Sequence, residues 1–427
     1  MKRSERERAK PLWQGSASEE EIKRKVSLFM QKNIRYETHN ILGFPGTTPL
    51  PISTEVYSDY LDYHSNNIGM HTNKDKGDSE LGFGGSQEAE RQVIEMVADL
   101  MGALPEEVDG YISSGGTEAN IVGCWMGRDS KKGAPTVLIC SFLTHYSVLK
   151  ACNILGIGTV IKTNGSGLHL LGTDNSGHIL LSQLKKKLYA VAQARIKNII
   201  VVGNGGTTML GSVDDIPEMC AIIDDFKKDF PATSVHLHID AAFGGFIVPF
   251  IKTLPDIGFQ NSNVSSIAID VHKMGLAPYG SGIILARRGL FKNIETEAPY
   301  VPGNDHTLCG SRAGAMALSC WAVMKKMGKD GYAKEAKRLI TLSDKIREKL
   351  ERYEMSVFEN DINILAVKSP FPQNLVQEFI THIHKNFPAD MTNPLTPERV
   401  TVWNIVIMRH TTEALIDNFL SECKKGG

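Results

Sequence analysis

Between residues 137 and 286 the chain repeats one pattern, a short apolar, β-branched run followed by an amphipathic stretch. The runs are VLIC at 137–140, NIIVV at 198–202, SVHLHID at 234–240, SIAID at 266–270 and GIILA at 282–286, with helical spacing at 178–195 and 214–230. Strands this apolar are covered on both faces, and strands that alternate with helices return by right-handed crossovers. The pattern predicts an α/β fold, a mostly parallel sheet covered by helices.

The flanking regions read differently. EEEIKRKVSLFMQ has Ile22, Val26 and Phe29 at helical spacing, ILGFPGTTPLPI at 41–52 is a Pro- and Gly-rich loop, and the stretch from Gln87 to Met101 is an amphipathic helix. After residue 310, helical patterns at 311–328 and 333–353 precede two strand patterns, NILAV at 363–367 and TVWNIVI at 401–407, with another helix between them, which predicts a smaller α+β domain. The expected divisions are an N-terminal segment over 1–85, a large domain over 86–300 and a small C-terminal domain over 301–427.

Charge and composition exclude several classes of function. With 47 Lys and Arg against 48 Asp and Glu, the formal charge is −1, without the basic excess that nucleic-acid binding calls for. No window approaches the ~18 uninterrupted apolar residues that span a bilayer, and no signal-like apolar run follows MKRSERERAK. The seven Cys are scattered and never spaced CxxC, a pattern of reduced thiols rather than of disulfides or a Cys-based metal site. These features predict a cytoplasmic protein that handles a small molecule.

Three motifs could carry its chemistry. In YISSGGTEANIVGCWMGR at 111–128, small residues from Ser113 to Thr117 lead into a helix, so backbone N–H groups and a hydroxyl gather at a helix N-terminus, a geometry suited to phosphate. An ordinary capped Ser/Gly loop has the same spelling. In SVHLHIDAAFGGFIVPF at 234–250, strand alternation puts His236, His238 and Asp240 on one face. That trio could ligate zinc in a metal hydrolase, or Asp240 could be a buried acid meeting a cationic partner at the carboxyl edge of the sheet. In SSIAIDVHKMGLAPYGSG at 265–282, a strand ends near Asp270 and runs straight into His272 and Lys273. A Lys held at a strand end beside apolar turns can serve as an amine nucleophile. A phosphate cup, an acid on one strand and a Lys 33 residues later on the next (273 − 240) are together the parts of a pyridoxal phosphate site.

The strings SGGTEAN, THYSVLKA, GGTTMLGSVDDI, HIDAAFGGFIVPF, SIAIDVHKMGLAP, APY and GSRAGA follow one another between residues 114 and 315. In that order they resemble the group II pyridoxal-phosphate-dependent amino-acid decarboxylases of fold type I, most closely the archaeal-type tyrosine/aspartate branch, and less strongly bacterial histidine decarboxylases. The resemblance implies pyridoxal 5'-phosphate as cofactor, with Lys273 as the Schiff-base lysine and Asp240 as the carboxylate paired with the ring nitrogen. It also implies Ala242 beneath the ring, His145 stacked above it, and Gly116, Thr117 and His272 around the phosphate, with Thr207 nearby. Tyr300, 27 residues after the lysine (300 − 273), matches the loop tyrosine that protonates the substrate carbon. The expected assembly is a homodimer with shared sites, in which Ser311 of GSRAGA reaches the phosphate from the other chain. Residues 64–85 correspond to the entrance of the active site, where His64, Asn67 and His71 read as pocket lining or as solvated polar residues.

The resemblance implies decarboxylation of an L-amino acid, an aromatic one such as tyrosine first and aspartate next. Sphingosine-phosphate lyases share the GGFIVPF-like, APxGS-like and GSRxG strings, so a carbon–carbon lyase is the nearest alternative. Histidine or glutamate decarboxylation, a non-catalytic cofactor-binding protein and the zinc hydrolase are further ones. NIVIMRH at 404–410 departs from the RIVVMPH common in the branch, with Asn404 in place of an arginine and Arg409 in place of a proline.

Overall fold

A computed structural model of the chain describes residues 16–72, 82–161, 165–299, 304–368 and 373–425. The chain forms two compact units, Met1–His39 and Asn40–Gly427. In the first, α1 (Glu19–Met30) forms at the expected helical pattern. The Ser18 hydroxyl accepts from the Glu21 N–H while the Glu21 carboxylate accepts from the Ser18 N–H, so two backbone donors at the helix start are satisfied.

The second unit contains α2 (Pro51–Asp59), α3 (Gly84–Leu100), β1 (Val108–Ser113), α4 (Gly116–Asp129), β2 (Thr136–Ser141), α5 (Ser147–Ile154) and β3 (Gly167–Leu171). There follow α6 (Leu181–Gln193), β4 (Asn198–Asn204), α7 (Ile216–Asp229), β5 (Ser234–Asp240), β6 (Val264–Asp270) and β7 (Gly282–Arg287). These strands form one sheet in the order β1-β7-β6-β5-β4-β2-β3. Every neighbouring pair from β3 to β6 is parallel, and β7 runs antiparallel to both β6 and β1. All five anticipated strands are present. β1 and β3 were not expected: β1 reads VDGYIS, where Asp109 and Gly110 hide the pattern, and Asp109 is accommodated by donors from Thr72 and the Gly289 N–H.

The sheet is covered on both faces, as its apolar runs require. Ile139, Val201, Leu237 and Ile269 point into a core shared with Val97, Leu188 and Ile223 of α3, α6 and α7. The alternate residues Leu138, Ile200 and Val202 pack with Cys124 and Val148 of α4 and α5. Five of the seven cysteines are buried and all are free thiols.

The chain continues through the short pair β8 (Thr296–Glu297) and β9 (Asn304–Asp305) into α8 (Gly314–Arg352). Non-helical backbone at Gly328, with φ +59°, divides α8 between the two helices that the sequence predicts. Then β10 (Ser356–Val357), β11 (Ile364–Lys368), α9 (Gln373–Glu378), β12 (His382–Pro388), β13 (Arg399–Val406) and α10 (Glu413–Lys425) complete an antiparallel sheet of order β10-β11-β13-β12. Among the described residues, no helix is long and apolar enough to cross a membrane.

Candidate active site

Parallel register brings the carboxyl ends of β4, β5 and β6 to one edge of the sheet. Asn204 lies opposite Asp240, and Asp240 lies level with Ala268, two residues before Asp270. Beyond β5, the Ala242 N–H donates to Asp240 Oδ1 at 3.1 Å, while the Ala242 carbonyl accepts from the Asp270 N–H at 3.2 Å. The two acids are thus tied to each other through the turn that Ala242 begins.

Helix α4 starts at this edge. Its cap, Gly115, has φ +152°, and a side chain there would meet the His272 ring at 3.1 Å. At Gly116 an added Cβ would lie 2.9 Å from the Ala242 methyl and 3.0 Å from Asp270 Oδ2. These glycines are required by close approach, so the first N–H groups of α4, which have no partner within a helix, reach the same point as Ala242, Asp270 and His272. The half-buried Thr117 follows in the first turn. The expected cup is therefore assembled, and its walls come from three elements.

Lys273 leaves β6 directly into this cup, and its Nζ lies 2.8 Å from Asp270 Oδ2. Burial opposes the charge on Lys273, but Asp270 at contact distance and Asp240 further off outweigh it and raise its pKa above the ordinary value. His272 Nε2 is 3.6 Å from the same Asp270 oxygen, and burial pulls the His272 pKa down against that attraction. Asp270 Oδ1 and His272 Nδ1 are buried without a hydrogen-bond partner among the described residues. Buried polar atoms are rarely left so, and two of them in one cup mark a place prepared for a polar ligand.

His145 follows β2 and feels Asp240, Lys273 and Asp270; burial nonetheless lowers its pKa. Its Nδ1 is 2.8 Å from the Ser147 hydroxyl. Thr207 sits in a turn packed on the segment after Asp240, where a Cβ at Gly205 would lie 3.0 Å from the Ala241 methyl. The Thr207 hydroxyl is 2.8 Å from the Ser212 hydroxyl, so its side chain also braces its own turn. Ser311 is exposed, accepts from Asn66 Nδ2 at 3.2 Å, and lines a cavity of about 310 Å³ with Ser113, Ser114 and Tyr279 of its own chain. Tyr300 lies outside the described residues.

His236, His238 and Asp240 do share one face of β5, but the face is covered by α4. A Cβ at Gly127 would lie 3.0 Å from the His236 ring, and one at Gly123 would run into His238. His238 Nδ1 and His236 Nε2 each lie 2.8 Å from the Ser266 hydroxyl, and His238 Nε2 is 2.9 Å from Asn120 Oδ1. Both His238 nitrogens are thus engaged in hydrogen bonds, which leaves the zinc reading without that ligand. Among the described residues, no group of His, Cys, Asp and Glu could hold a metal ion.

Sequence reasoning did not single out Asp270 or Asn120. Asn120 donates to Asp240 Oδ2 at 2.8 Å. The available signal was spacing, since Gly116, Asn120, Gly123 and Gly127 form one stripe along α4. His64 is exposed, but Asn67 and His71 are not, and Asn67 lines the same cavity as Ser311. Asn67 and His71 are both buried: Asn67 Nδ2 lies 3.1 Å and His71 Nδ1 2.6 Å from Glu90 Oε2.

The sequence model described as the pyridoxal-dependent decarboxylase conserved domain matches residues 85–367. A tryptophan decarboxylase of Clostridium sporogenes is 30% identical over 96% of each chain, and an L-aspartate/L-glutamate decarboxylase of Pyrococcus horikoshii is 32% identical over 92% of this chain and 94% of that one. The crystal structure of L-methionine decarboxylase from Streptomyces sp. 590 superposes with a TM-score of 0.82 at 18% identity, over 97% of this chain and 96% of that one.

Proposed function

This chain belongs to the pyridoxal-dependent decarboxylase family, and we propose that it releases CO2 from an aromatic L-amino acid, with Lys273 carrying the cofactor. The observation that carries this reading is the position of Lys273, held in the cup by Asp270 at 2.8 Å with Asp240 on the adjoining strand. The orphaned His272 Nδ1, which can donate, and the glycine-walled start of α4 fit a phosphorylated cofactor.

When bound, pyridoxal phosphate supplies a protonated ring that accepts the electron pair left as CO2 departs. The protein's own groups prepare for that chemistry. Asp240, whose carboxylate accepts from Asn120 and the Ala242 N–H, would pair with the ring nitrogen. Gly116, Thr117 and His272 would offer donors to the phosphate, with Thr207 nearby on its turn. Ala242, at the floor of the cup, allows a flat ring to approach. His145, whose charged form burial disfavours, would stack over the ring and orient the substrate, with its Nδ1 2.8 Å from the Ser147 hydroxyl. Tyr300 acts as the general acid that protonates the substrate carbon. The large domain, 86–300, carries these groups, and 301–427 forms the small domain; the active form is a cytoplasmic homodimer in which Ser311 serves the partner's phosphate.

Relatives named for tryptophan and for aspartate and glutamate bracket the substrate. Asn404 favours the aromatic side of that bracket: it is buried on β13 and donates to the Met209 carbonyl, so this residue itself offers no charge to a side-chain carboxylate. The test is borohydride fixation of the cofactor on Lys273, followed by CO2 release over a panel of L-amino acids, with Tyr300→Phe as control. Turnover of tyrosine or tryptophan ahead of aspartate is expected, with Tyr300→Phe slower by about 10²–10⁴-fold. Colourless protein that takes up no cofactor would overturn the reading. An aldehyde from a phosphorylated amino alcohol would assign the lyase reaction instead.

A further inference from the structure

Asn120 is 1% exposed, and its amide makes three hydrogen bonds. Nδ2 donates to Asp240 Oδ2 and to Ser147 Oγ, both at 2.8 Å, and Oδ1 accepts from His238 Nε2 at 2.9 Å. The orientation is forced, because exchanging oxygen and nitrogen would set an acceptor against the Asp240 carboxylate. Each neighbour is then forced in turn. His238 carries its proton on Nε2, so its Nδ1 accepts from the Ser266 hydroxyl, and the Ser266 oxygen accepts from His236 Nε2. Burial lowers the His236 pKa to about 4 and, with His236 alongside, that of His238 to about 3, so both rings are neutral and each has one proton to give.

The second branch follows the same logic. The Ser147 hydroxyl, having accepted from Asn120, gives its own proton to His145 Nδ1 at 2.8 Å, and the Ser147 N–H points at the same atom from 3.3 Å. With two donors aimed at Nδ1, the proton of neutral His145 belongs on Nε2. Nothing in this arrangement can slide, since Cβ atoms at Gly123 and Gly127 would collide with His238 and crowd His236.

We propose that Asn120 is a positioning residue which, through one amide, aims and stabilises the charge of Asp240 and sets the ring tautomer of His145. The acid that is to pair with the ring nitrogen and the histidine that is to stack above the ring are thereby locked to a common point on α4. This rests on the reading of Asp240 and His145 given above.

Asn120→Asp keeps the shape but replaces the donor facing Asp240 with an acceptor. In the full-length protein it should weaken pyridoxal phosphate binding by about ten- to a hundredfold, the size of one hydrogen bond to a charged group. In ¹⁵N-histidine-labelled protein, His145 should also lose the signature of an acceptor Nδ1 and a protonated Nε2. Ser147→Ala breaks only the His145 branch, so it should shift the His145 resonances with the smaller loss of affinity. Asn120→Asp binding cofactor like the wild type, while Asp240→Asn does not, would overturn the proposal. If Asn120→Asp does not fold, Ser147→Ala decides, and unchanged His145 resonances overturn it. Wild-type affinity in Asp240→Asn would instead refute the placement of Asp240 at the cofactor.

Discussion

Two buried clusters of charge lie at opposite ends of the same loop into α4, and they differ in what they leave unfinished. At one, Glu90 accepts from Asn67 Nδ2, His71 Nδ1, the Ile112 N–H and both Arg312 terminal nitrogens, so neither of its oxygens is idle. At the other, Asp270 meets Lys273 with Oδ2 while Oδ1 has no hydrogen-bond partner, and His272 Nδ1 is in the same state. Both clusters contain carboxylate, cation and histidine. A saturated carboxylate fastens segments of the fold together, whereas an unsaturated one is poised for something that arrives later. Burial and charge alone do not separate the two clusters, and at the first Arg312 Nε also lacks a partner; the difference lies in the carboxylate, which is filled at Glu90 and half-filled at Asp270.

The contrast is broken most decisively at Lys273. Lys273→Ala should abolish both borohydride labelling and CO2 release while the protein still folds, and labelling that persists would remove the functional half of the comparison. At Glu90 the loss should fall on the fold. Glu90→Ala strands Arg312 in the interior and should cost about 3–5 kcal/mol in urea unfolding; a wild-type unfolding curve would show that the cluster holds nothing together. Burial works against the Glu90 charge, but Arg312 and His71 prevail and hold its pKa at about 2, against an ordinary 4.5. Its contribution is therefore complete above pH 4.5 and is lost as pH falls toward about 2, and Glu90→Gln should remove that part of the acid sensitivity.

A smaller effect tests the surface that carries the polar stripe. Gly123→Ala drives a methyl into the His238 ring and should destabilise by about 1–3 kcal/mol, read from thermal or urea unfolding. Full stability there would mean that α4 can move away from β5. The smallest effect belongs to a third, partly exposed cluster, in which His178 lies 2.7 Å from Asp361 and 3.1 Å from Asp174. The hydrogen bond to Asp361 is the main cause that raises the His178 pKa to about 9. This contribution is complete below the ordinary histidine value of 6.5 and is lost as pH rises through about 9. His178→Gln should flatten the stability profile over that interval, and an unchanged profile would count against the contact.

The periodic elements were legible because burial writes itself into local pattern. β2, β4, β5, β6 and β7 lie where apolar β-branched runs predicted them, and α8 divides at Gly328 between the two expected helices. β1 was not legible, because Asp109 and Gly110 break the strand pattern and become acceptable only beside Thr72 and Gly289. The cup and the acid were legible as residue types at chain positions where strands and helices meet. The surroundings of Lys273 were not. Asp270 is only three residues before the lysine, but what surrounds the pair depends on the register of β5 against β6, which sets Asp240 level with Ala268.

By itself, the amino-acid sequence determined the layered α/β architecture, the family and the presence of a glycine-walled helix start, an acid and a lysine at strand ends. These follow from patterns within a few residues of each other. Tertiary structure alone decided that Asp240 stands beside the Asp270–Lys273 pair, and that Asn120 hydrogen-bonds Asp240 from 120 positions away in the chain. Hydrogen bonds form over a few tenths of an ångström, and such distances between remote residues exist only once sheet register and helix packing have set them.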